Sequence, residues 1–204
     1  MEFARIEKPD TKIYDGKRKL YCLPNVYPIP ESSDRYRSLC SRYWQEAEIQ
    51  ISKLELMTPI TKVFCEMVFK DENALEILSK IDEFMHKMVE KYANRGAKIV
   101  PIEEEEIFST YIDWANCLKV VHSKTVFAKV LEFYNDIANK RFSFITDVIN
   151  KNLGSCEAGL LILKDEDRRK ITFPEDVEIF LVTPPAYDDI LKFIRDLMVG
   201  KVEK

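Results

Sequence analysis

The sequence predicts an α/β fold, a mainly parallel sheet of about five strands flanked by helices. Short apolar runs, several of them β-branched, end in an acidic residue, a proline or a threonine, and long amphipathic stretches follow them. The runs lie at residues 61–66, 98–102, 159–164 and 177–183. Strands alternating with helices in this way argue for helices layered on a parallel sheet. The chain has 204 residues and no Gly/Ser/Pro-rich linker, internal repeat or low-complexity segment, so residues 1–204 read as one domain.

The elements follow in order. Residues 12–29 read as extended structure: Lys12–Tyr14, a turn at Asp15-Gly16 and Lys19–Leu23 give a hairpin signal, and Pro24, Pro28 and Pro30 then force a loop. Tyr36, Leu39, Cys40, Tyr43, Ala47, Ile51 and Leu54 recur at helical spacing, and Pro59 closes that segment. A strand is expected over 61–69, then one helix from Asp71 to about Arg95, stopped by Gly96. A strand at 98–102 completes a βαβ unit. Glu103–Glu106 opens the next helix, and residues 124–153 form a long one with a break near Asn139. After the strand at 159–164, residues 165–170 read as a charged turn. A strand at 177–182 follows, and Pro184-Pro185 starts the last helix.

Composition narrows the function. The net charge is −4, which offers no Lys/Arg surplus for a nucleic-acid backbone. The five glycines are scattered, so no glycine-rich phosphate loop exists. The five cysteines include no CxxC pair, and several lie on apolar stripes, which fits a reducing cytosol. Residues 1–7 lack an apolar signal region, and no stretch approaches membrane-spanning length, so a soluble cytoplasmic protein without a membrane partner is expected. The two histidines, His86 and His122, form no zinc motif or nucleophilic pair.

Ligands of parallel α/β sheets bind beyond the carboxyl ends of the strands, and those ends here carry Glu66, Glu103, Asp165 and Thr183. Glu66 stands among Phe64, Cys65, Met67 and Val68, where a carboxylate needs either a site or a partner. The run Glu103–Glu106 is explained first by helix capping, leaving Glu103 as its site candidate. Asp165, Glu166 and Asp167 read either as a solvated turn balanced by Arg168 and Arg169 or as oxygen ligands. Glu66, Glu103 and Asp165 together suit a hard cation such as Mg²⁺ or Mn²⁺. Arg141 either snorkels or clamps an anion near the strand ends. No residues are assigned to an organic cofactor.

Laid end to end, the stretches 20–25, Val63-Phe64-Cys65-Glu66, Arg141 and 160–165 resemble the layout of the TraB/Tiki family of metal-dependent hydrolases. The resemblance implies a metal-ligating or catalytic Glu66 and a catalytic Arg141. Both histidine motifs of that family are missing: Asn25 and Val26 stand near the first, and residues 165–167 near the second. Lost histidines imply lost or altered metal chemistry. The expectation is therefore a non-catalytic binding or regulatory scaffold related to an enzyme fold. Its alternative is a divergent metal-assisted hydrolase with Glu66 and Arg141 as catalytic residues. Apolar faces left unburied would point to a homo-oligomer or a protein partner.

Overall fold

A computed structural model describes residues 16–29, 33–56 and 58–201. The strands are β1 (Arg18–Pro24), β2 (Ile60–Cys65), β3 (Lys98–Pro101), β4 (Ala158–Leu163) and β5 (Val177–Leu181). They form one sheet in the order β3-β2-β4-β1-β5, with every pairing parallel. The helices are α1 (Asp34–Leu54), α2 (Ala74–Ile81), α3 (Glu83–Asn94), α4 (Glu105–Val120), α5 (Lys124–Asn152), α6 (Asp165–Arg168) and α7 (Pro185–Met198). The α/β expectation holds.

Alternate residues of the central strands face opposite layers. Tyr21, Leu23, Val63, Cys65, Leu160 and Ile162 pack on the face covered by α1, α3 and α7. Leu20, Cys22, Phe64, Leu161 and Leu163 pack on the face covered by α4 and α5. Strands buried on both faces read as continuous apolar runs, and Ala158–Leu163 is buried throughout. Gly159 is needed at its position, because a Cβ there would stand 2.7 Å from the Phe64 ring.

Several boundaries differ from the sequence reading. The hairpin expected at 12–23 does not form among the described residues. Lys12, Ile13 and Tyr14 lie outside them, and β1 pairs in parallel with β4 and β5, well inside the sheet. The single helix expected over 71–95 is two, because Asp82 leaves helical geometry and its carboxylate accepts from the amides of Phe84 and Met85. That makes Asp82 an N-cap, a role aspartate fills well. The strand expected over 61–69 ends at Cys65, and Met67 follows in the left-handed region at φ 63°. Helix α5 runs without a break through Asn139, an exposed residue in a stretch with no glycine or proline to interrupt it. The turn expected at 165–170 is the short helix α6 with its C-terminal flank.

The direction of α5 matters for the site. Arg18, at the start of β1, donates to the carbonyls of Asn150 and Leu153, so α5 ends at the amino edge of the sheet. Arg141 reaches Glu103, just past the end of β3, at the carboxyl edge. Residues 124–140, roughly 25 Å of helix at 1.5 Å per residue, therefore extend past that edge alongside α4.

Candidate functional site

Because every strand is parallel, all five carboxyl ends meet at one edge. There β1 leads to α1 on one face. Its neighbour β4 leads through α6 to Ile171 and Phe173, which pack on the other. Adjacent strands whose connections part in this way open the crevice where α/β proteins take ligands.

Asn25 and Glu66 flank the end of β4. The Asn25 amide donates to the Leu163 carbonyl at 3.0 Å, and the Glu66 amide donates to the Ile162 carbonyl at 3.1 Å. These bonds prolong the ladders on both sides of β4 and bring the two side chains together, with Asn25 Nδ2 donating to Glu66 Oε1 at 2.6 Å. Helix α1 holds the loop after β1: the Tyr36 hydroxyl donates to the Tyr27 carbonyl at 2.8 Å, and the Tyr43 hydroxyl donates to that of Pro24.

Glu66 is 1% exposed. Burial pushes its carboxyl up to about 7. The hydrogen bonds from Tyr27 and Asn25 and the Arg141 charge pull it down, and Glu103 pushes it up again. Glu66 thus changes protonation near neutrality, unlike an ordinary carboxylate.

A second cluster lies toward β3. Arg141, 1% exposed, donates from Nε to Glu103 Oε2 at 2.9 Å and from Nη2 to Glu103 Oε1, a two-pronged pair. Its Nη1 donates to Asp167 Oδ2 at 2.7 Å. The Tyr111 hydroxyl donates to Asp167 Oδ1 at 3.1 Å, and Lys170 lies 3.5 Å from the same atom. The guanidinium also sits over the rings of Phe108, Tyr111 and Phe142 at 4.7–5.7 Å. Desolvation works against its charge, but the bonds to Glu103 and Asp167 outweigh it and hold Arg141 above its ordinary range.

The acidic run after β3 divides between two roles. Glu104 caps α4, accepting from the amides of Glu106 and Ile107, while Glu103 turns inward to Arg141. Asp165 accepts from Arg168 at 2.9 Å and lies 2.6 Å from Arg169. Glu66, Glu103 and Asp165 are therefore committed to three different partner sets. No group of three or more His, Cys, Asp or Glu residues among those described is placed to hold a metal ion.

A cleft of about 500 Å³ opens between the loop after β1, the segment 164–169 and α7; Glu66 does not line it and meets it only through its partner Asn25. Asn25, Tyr27 and Lys164 line it. Sequence reasoning missed Tyr27, Lys164 and the α7 wall. It met Asn25 only as a departure from a histidine motif. The available signal was position, since Asn25 directly follows a strand, as Glu66 does.

Comparison with known proteins finds no family model, no curated protein and no solved structure that matches the chain. Among the described residues, no helix is long and apolar enough to cross a membrane.

Proposed function

We propose that this chain is a non-catalytic binding or regulatory protein on an enzyme-like α/β scaffold, taking its ligand in the cleft beyond β1 and β4. The observation that carries this reading is the internal pairing of the strand-end charges. Arg141, the candidate anion clamp, already spends its guanidinium on Glu103 and Asp167. Glu66 already accepts from Asn25. The cleft, in contrast, has a volume typical of small-molecule sites. Five unpaired cysteines support a reducing, cytoplasmic setting, and the net charge of −4 supports a partner other than nucleic acid.

A second reading, a divergent metal-assisted hydrolase, is favoured by one observation. The Glu66 carboxyl, pushed up to about 7 by burial, stands behind Asn25 of the cleft lining, a value that suits a general base. Thermal melting of EDTA-stripped protein with Mg²⁺, Mn²⁺ or Zn²⁺ added in turn separates the two. A bound metal at a hundredfold over Kd stabilises by about 2.7 kcal/mol. The binding reading expects no rise with any metal. A rise with one metal that disappears in Glu66→Ala overturns it in favour of the hydrolase.

A further inference from the structure

The wall of the cleft opposite Asn25 and Lys164 is one face of α7, contributed by Ile190, Leu191, Ile194 and Met198. These residues recur at three- and four-residue spacing, a single helical stripe. Tyr27, Tyr36 and Tyr187 add ring surface. The body of any ligand here meets apolar and aromatic groups.

The charged lining cancels. Lys164 lies 3.0 Å from Glu166, and Arg169 lies 2.6 Å from Asp165. These four residues are the charged part of the lining, two cations and two anions already paired. Nothing among them is free to neutralise a charged ligand, and an ion moved from water against the α7 wall keeps its desolvation cost.

One polar group does lack a partner. Asn25 is 6% exposed, and its Nδ2 is engaged by Glu66, but its Oδ1 is buried with no hydrogen-bond partner among the described residues. A buried acceptor left unpaired costs free energy that a donor recovers.

From the cancelled charges, the apolar wall and the orphaned acceptor, we infer that the cleft binds an uncharged amphipathic molecule carrying an N–H or O–H donor on an aromatic or aliphatic body. This rests on the binding reading above and names its ligand class. The donor group would sit at the Asn25 end and the body along α7.

Three probes that share one skeleton test it: 4-phenylbutanamide, 4-phenylbutanoate and 4-phenylbutylammonium, titrated into the ¹⁵N-labelled full chain. The amide resonances of residues 25–27 and 187–194 and the Asn25 side-chain amide are followed. The amide probe is expected to shift these signals and to bind at least tenfold more tightly than either charged probe. Leu191 is 46% exposed, so Leu191→Glu should fold, and it should weaken the amide at least tenfold. Equal or tighter binding of a charged probe at the same resonances overturns the ligand class and leaves the binding reading standing. Shifts indifferent to Leu191→Glu, or no shift with any probe, overturn the inference. The binding reading itself falls only if the metal titration also gives a rise lost in Glu66→Ala.

Discussion

The two halves of α5 carry the same apolar stripe in different surroundings. Ala138, Phe142, Ile145 and Ile149 continue at three- and four-residue steps from Phe127, Leu131 and Tyr134. The first four are buried against the sheet and its flanking segments. Phe127 and Leu131, past the carboxyl edge, remain 41% and 37% exposed. Periodicity thus fixes which side of a helix is apolar, whereas burial depends on how far the neighbouring layer reaches. At six residues, β4 covers only about 20 Å, and α5 outruns it. Arg141 marks the boundary, tying the helix to β3 and α6 where sheet contact ends.

Substitutions on either side of that boundary sharpen the contrast. Arg141→Ala leaves Glu103 and Asp167 buried without their cation, and should cost about 3–5 kcal/mol in denaturant unfolding. Phe142→Ala, in the buried half, should cost a similar ~3–5 kcal/mol. Phe127→Ala, fifteen residues earlier on the same stripe, should stay within about 0.5 kcal/mol, as exposed positions do. Equal costs for the two phenylalanines would refute the division.

Glu66 gives a prediction in pH. Its folded pKa of about 7 lies above the ordinary 4.5, so the folded state binds the proton more tightly than the unfolded one. Its contribution to stability is therefore full below pH 4.5 and is lost as pH rises through about 7. The rise from 4.5 to about 7 corresponds to roughly 3 kcal/mol. Glu66→Gln should stay close to wild type at pH 4–5 and gain on it by roughly 1–3 kcal/mol at pH 8. A constant offset across that range would mean that Glu66 titrates alike in the folded and unfolded states, contradicting the raised value. Gly159→Ala is expected to cost about 1–3 kcal/mol, since its Cβ would press on Phe64 from inside the sheet.

The central strands β2 and β4 were legible because they are largely buried on both faces, and Glu66 stood out as a charge at the end of such a run. Arg141 was legible as an arginine beside Phe142 and Phe144 in a long helix, but its partners were not. Glu103 lies 38 positions away in the chain and Asp167 lies 26 positions away, and only the packing of α5 against the carboxyl edge joins them. The acidic runs concealed the distinction between Glu104, which caps a helix, and Glu103, which pairs with an arginine, because adjacent residues of one type look alike in sequence. The cleft was illegible for a similar reason, since α7 and the loop after β1 meet only through tertiary contact.

The most direct test is a double-mutant cycle on Arg141→Met and Glu103→Gln, read by denaturant unfolding at pH 7. If the strand-end charges are spent on one another, the two substitutions should couple by about 2 kcal/mol. Additivity within about 0.5 kcal/mol would mean that Arg141 and Glu103 act independently, and that the carboxyl edge keeps free charges for a ligand.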